Sequence, residues 1–197
     1  MRQIITFFLF SIIFLSNINY SYSIEPDIFI QSTVNRATST LSGDLTKEER
    51  ITELKKIAKD TVDITGIGYY SLGSHRKALD KDQLSIYSKV FEEYFLKSFS
   101  SRLAEYSNPE IEVISKNKLN KNYTIVLSKL VATDSRPEVK IEWRVYTKNP
   151  EKPLIRDLIV EGLSLARTQK EEFASILISN NNDIKILINK LEDFVND

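Results

Sequence analysis

The 197-residue chain has no cysteine, one histidine, and only five glycines and five prolines. Each shortage removes a class of explanation. Without cysteine there is neither a disulfide staple nor a thiolate nucleophile, so the fold must be held by its core. With a single histidine, His75, the usual ligands of a tight transition-metal site are missing. A Ser–His–acid triad would have to use that same residue. His75 sits in SHRKA beside Arg76 and Lys77, the composition of a solvated helix end. Glycine-rich phosphate loops and dinucleotide fingerprints are also missing. The adjacent pairs Glu92-Glu93 and Glu171-Glu172 diverge by about 100° on a helix, which suits solvated faces rather than an acid–base dyad. Charge of one sign is lacking too. Basic and acidic residues number 27 each and are interspersed, which leaves no electrostatic footprint for nucleic acid.

Long apolar runs are absent except at the start. MRQIITFFLFSIIFLSNINYSYS carries one positive charge at Arg2, an apolar run from Ile4 to Leu15, and the small residues Ser21 and Ser23. That layout predicts a secretory signal over residues 1–23, cleaved after Ser23. An uncleaved anchor is the alternative, but the run is shorter than the roughly 20 residues a spanning helix needs. The remainder, residues 24–197, carries one excess negative charge and reads as a single exported domain. A domain of that size buries roughly 70% of its unfolded surface, enough to stand without disulfides.

Periodicity divides this domain into a helical part (24–107), a strand-rich part (110–165) and a helical end (168–197), an α+β order. The first helix has Pro26 at its start, a stripe of Ile30, Val34, Ala37 and Leu41, and Gly43 as a stop. Thr46 with Glu49 and Asp80 with Gln83 are capping boxes for the second helix and a long later one. Between them, Gly66 and Gly68 in VDITGIGYYSLG read as close packing or a hinge. The long helix carries Leu84, Tyr87, Phe91, Tyr94, Phe95 and Phe99 at helical spacing. This stripe is either plain core or the wall of an apolar cavity. IEVIS, NYTIVLSKLVA, VKIEWRVY and PLIRDLIVEGLSL have strand composition and turn chemistry between them, predicting about four antiparallel strands. Thr168 with Glu171, then Asp183, are the expected caps of two closing helices. Asn122-Tyr123-Thr124 is a formal glycosylation sequon.

The segment DLIVEGLSLARTQKEEFASIL, residues 157–177, resembles the C-terminal signature of the MlaC or toluene-tolerance family. The matching residues are Asp157, Glu161-Gly162, Ser164, Thr168-Gln169 and Glu172-Phe173. SRLAEYS (101–107) and the spaced set Asp63, Leu72-Gly73 and Gln83 match as well. One departure stands out: His75-Arg76 replaces the aromatic pair that family members usually place after Leu-Gly.

The resemblance implies a curved antiparallel sheet, nuclear-transport-factor-like, with helices enclosing an apolar pocket. It also implies a periplasmic phospholipid carrier of Gram-negative bacteria that preserves outer-membrane lipid asymmetry. Its partners would be an inner-membrane ABC transporter complex with a membrane-anchored substrate-capturing subunit, and an outer-membrane lipoprotein complex. No cofactor, metal or catalytic residue is implied. Such a job needs shelter for acyl chains, because about 0.8 kcal/mol per methylene puts two chains in water at a cost on the order of 20 kcal/mol. The expected lipid-binding wall is Ile141, Trp143 and Val145 with Leu158 and Val160 across the hairpin, Ile125 and Leu127 on the neighbouring strand, and Phe91, Tyr94 and Phe95 on the long helix. The segment 154–165 would then be apolar on both faces, with Gly162 permitting a bend or a close backbone approach. The alternatives are a carrier of another envelope lipid such as a hopanoid, or a cavity enzyme of the same fold.

Overall fold

The computed structural model describes residues 22–197. The signal expected over residues 1–23 lies, but for its last two residues, outside the described residues. Four helices and a 3-10 turn come first: α1 (Pro26–Ser42), α2 (Lys47–Thr61), α3 (Ile64–Ser71), a 3-10 segment (Gly73–Ala78) and α4 (Lys81–Leu103). Both expected capping boxes are formed: Glu49 and Gln83 donate backbone N–H to the side chains of Thr46 and Asp80, and their own side chains accept in return.

The glycine pair of α3 serves close packing. A Cβ on Gly68 would lie 2.7 Å from the Phe91 ring, and one on Gly66 would lie 2.5 Å from the Asp63 carboxylate. Asp63 uses both carboxylate oxygens. One accepts the Gly66 N–H at 2.9 Å, capping α3, and the other accepts from Arg156 Nε at 2.6 Å. Arg156 also donates to the Tyr123 hydroxyl at 2.8 Å, and its guanidinium lies 3.6 Å above the Tyr146 ring. Asp63 thereby fastens the start of α3 to the sheet.

The sheet is a five-stranded antiparallel meander of β1 (Ile111–Asn120), β2 (Tyr123–Leu130), β3 (Val139–Tyr146), β4 (Leu154–Val160) and β5 (Leu163–Ser164). The fifth strand comes from a segment that reads in sequence as one continuous strand. It turns back because Glu161 and Gly162 both take left-handed backbone, φ 49° and 81°, in a two-residue hairpin loop. Nothing lies within 4 Å of where a Gly162 Cβ would be, so this glycine serves the turn and not a close approach.

The start expected for the next helix also shifts. α5 (Leu165–Ser179) begins three residues before Thr168, because Ser164 caps it by accepting the Arg167 N–H. Thr168 instead donates its hydroxyl to the Ser164 carbonyl. Asp183 caps α6 (Ile184–Asn196) as expected.

Pairing register decides which side chains share a face. Thr124, Val126 and Ser128 stand opposite Val145, Trp143 and Ile141, and this face turns toward the helices. β4 continues it with Leu158 opposite Trp143 and Val160 opposite Ile141. A bulge at Arg156 puts Ile155, not Arg156, opposite Val145. The core runs from Ile30 and Val34 through Tyr87 and Phe91 to Phe173 and Leu187, where sheet, α4, α5 and α6 meet.

Candidate functional site

Between the helix-facing side of the sheet and helices α1, α2, α4 and α5 lies a cavity of about 440 Å³, within the range typical of small-molecule sites. A wider depression of about 670 Å³ between α1 and α2 is open and fringed by Gln31, Asn35 and Arg36, so the enclosed apolar space is the candidate site.

Its walls come from every layer. α4 contributes Phe91, Tyr94, Phe95 and Phe99, so its aromatic stripe does two jobs. Tyr87, one turn earlier, is wholly buried core, its hydroxyl donating to the Gly68 carbonyl, while the following rings face the space. The rings brace one another. Phe95 and Phe99 stack with centroids 5.6 Å apart, and Phe91 meets Phe173 edge-on at 6.1 Å. The sheet supplies Ile141 and Trp143 from β3 and Leu158 and Val160 from β4. The Trp143 indole donates to Ser128 Oγ at 2.8 Å, which fixes the ring against the wall.

Seven of the ten residues expected from sequence, namely Phe91, Tyr94, Phe95, Ile141, Trp143, Leu158 and Val160, therefore meet at one space. Three do not. Val145 shares their face but lies at the other end of β3, fully buried in the core rather than along the cavity. Ile125 and Leu127 stand opposite Arg144 and Glu142, on the side of the sheet turned away from the helices. Their alternation was visible in sequence, but which of two apolar-compatible faces meets the helices is set by pairing. Sequence reasoning also missed the contribution of the first two helices: Val34, Ala37 and Leu41 of α1 and Leu54, Ile57 and Thr61 of α2. Their stripes were legible as buried faces, but nothing local distinguishes a stripe that meets side chains from one that meets a space.

Polar groups in the walls are mostly committed. The Tyr94 hydroxyl donates to Gln169 Oε1 at 3.0 Å; burial, aided by the nearby Glu172 charge, pushes its pKa up and keeps it a neutral donor. Asp157, whose side chain is 1% exposed, accepts from Ser164 Oγ at 2.7 Å, the Ala166 N–H at 3.0 Å and Arg144 Nη1 at 3.2 Å. It ties the middle of β4 to the start of α5. A carboxylate so engaged is a strut, since three of its roughly four acceptor sites serve the fold. His75, in the 3-10 segment, does not line the cavity. No helix among the described residues is long and apolar enough to cross a membrane.

A sequence model of the MlaC protein family matches residues 31–193. Comparison with curated protein sequences gives no match. Among solved structures, the chain is similar to the phospholipid-binding protein from Ralstonia solanacearum, solved in complex with a phospholipid. The TM-score is 0.73 at 16% identity, over 87% of this chain and 97% of that one. At that identity the likeness shows a shared α+β fold. The family match covers the α4 stripe, the sheet and the β4–α5 corner that build the cavity, and by it this chain belongs to the MlaC family.

Proposed function

We propose that this protein is a periplasmic phospholipid carrier. It shelters the acyl chains of one lipid in the cavity between sheet and helices. It passes that lipid between an outer-membrane lipoprotein complex and an inner-membrane ABC transporter that has a membrane-anchored capturing subunit. The observation that supports this most is the wall itself: an enclosed space faced by Phe91, Phe95, Phe99, Ile141, Trp143 and Leu158. Such a surface recognises apolar bulk without selecting a reactive atom, and it replaces water around methylenes that are each worth about 0.8 kcal/mol. The family and the phospholipid found in the Ralstonia protein favour a diacyl lipid as that bulk. A cavity enzyme would need an acid or base held in place in the wall; of the two carboxylates there, Asp157 is engaged by three donors and Glu172 is exposed, accepting from the Gln169 amide.

The test is native mass spectrometry of protein purified from periplasmic extract, with chemical identification of what is released. About one intact diacyl phospholipid per chain is expected. A protein that carries no lipid would contradict the reading, and lysolipid or free fatty acid accumulating with time would replace it with an enzyme.

A further inference from the structure

The cavity is not apolar at both ends. The α4 stripe runs Phe95, Phe99 and Arg102 at intervals of four and three, so the face that carries rings along the wall finishes in a cation, with Tyr106 lining the cavity just past the helix end. Arg136, from the loop between β2 and β3, reaches the same end, its guanidinium 5.8 Å from the Tyr106 ring centroid. Resting on the phospholipid reading above, we propose that Arg102 and Arg136 are the seat of the lipid's phosphate, and that the carrier therefore selects anionic phosphodiester lipids over uncharged lipids with the same tails.

Three observations support this. First, Arg102 is exposed and has no hydrogen bond or ion pair among the described residues. Second, Arg136 is under-used. Its Nη2 donates to the Val131 carbonyl at 3.3 Å, but its Nε is cut off from solvent with no acceptor among the described residues. Arg50 and Arg144 share that property, yet only Arg136 lines the cavity. A buried N–H without an acceptor is costly, and a ligand oxygen within reach would relieve it. Third, the carboxylates closest to them in sequence are engaged elsewhere, Glu138 with Lys129 at 3.2 Å and Glu105 with Lys47 at 2.6 Å, while Glu172, in the α5 part of the wall, accepts from the Gln169 amide. The two guanidinium groups at this end are thus left without a paired carboxylate among the described residues. Guanidinium groups match phosphate oxygens in both shape and charge. A tail in the aromatic channel with its phosphate at the Arg102–Arg136 end uses both halves of the site.

The experiment loads delipidated protein, purified after expression of the full chain, from vesicles doped with phosphatidylglycerol or with diacylglycerol of identical chains. Wild type should prefer the phospholipid by about tenfold or more, the ratio one charge-assisted hydrogen bond can supply. The variant Arg102→Gln/Arg136→Gln should lose that preference while loading diacylglycerol as wild type does, and Arg102→Lys/Arg136→Lys should keep part of it. If the double glutamine variant melts early, Arg102→Gln alone decides, because that exposed side chain holds nothing in the fold; it should lower the preference severalfold. A full preference in the folded variant overturns the proposal, as does parallel loss of both lipids, which would make the arginines supports of the wall. Equal loading by wild type overturns the proposal but not the carrier reading, whereas loading of neither lipid overturns both. Soluble glycerol phosphate should not be retained at millimolar concentration; tight retention would make this a small-anion site and overturn the assignment to a lipid phosphate.

Discussion

Asp157 shows how a residue in the wall of a binding site can belong wholly to the fold. Its three donors come from β3, from the β5 residue that caps α5, and from the α5 backbone, so one carboxylate sets the angle at which α5 leaves the sheet. Asp157→Ala would leave the Ser164 hydroxyl and the Ala166 N–H without an acceptor in a buried corner, with Arg144 unpaired beside them. That loss is expected to destabilise by about 3 kcal/mol. At this chain length the melting temperature should fall by about 6–12 °C, read by a thermal melt of delipidated protein. Asp157→Asn, which keeps the shape and one acceptor, should lose less. A melting temperature unchanged in the alanine variant would mean that α5 is held by its packing alone.

Among the elements, β3 offers the sharpest contrast between core and cavity. Val145 and Trp143 share a face, two residues apart, yet one is sealed in core and the other borders the space. Val145→Trp therefore should overpack, at about 1–3 kcal/mol. Leu158→Trp, directly opposite Trp143 across the β3–β4 ladder, points into the cavity and should cost under about 1 kcal/mol while lowering phospholipid loading severalfold. Thermal melts of delipidated variants alongside lipid quantitation separate the two outcomes. The sequence already showed that Ile141, Trp143 and Val145 share a face, because alternation is a property of one strand. It did not show where along that face the packing ends, because that depends on helices brought in from other parts of the chain. The same division holds for caps and turns. Thr46–Glu49 and Asp80–Gln83 could be read directly, each motif being complete within four residues. The β4–β5 reversal could not, since an apolar run through Glu161-Gly162 fits a continuous strand until the left-handed backbone at both positions is known.

For the whole molecule, charged contacts between the sheet and the helices and within the helix caps shape the response to pH. Lys116 of β1 bonds Asp27 of α1 at 2.8 Å and holds that carboxyl below its ordinary value of 3.8. The backbone N–H of Thr46 holds Glu49 below 4.5 in the same way. A carboxyl whose folded pKa is depressed adds stability that is present above its unfolded value and lost as pH falls through the folded one. The bonds Lys116 donates to Asp27 and Glu25 raise its pKa above 10.5, so its share is present below that value and lost as pH climbs past the raised one. Melting temperature should therefore be flat from neutrality down to about pH 5 and decline below, where these carboxyls take up protons. A fall already between pH 7 and 5.5 would point to another titrating group.

The central claim, that acyl chains enter the space beside β3, can be read from a single chromophore. The chain has one tryptophan, Trp143, and it stands in the cavity wall, pinned by Ser128. Phospholipid brominated along its acyl chains quenches indole fluorescence only on close approach. Titrating delipidated protein with such a lipid should quench Trp143 to a plateau at about one lipid per chain. The unbrominated lipid should bind equally well and leave the emission unquenched. Stoichiometric binding of brominated lipid without quenching would place the acyl chains elsewhere and contradict this account.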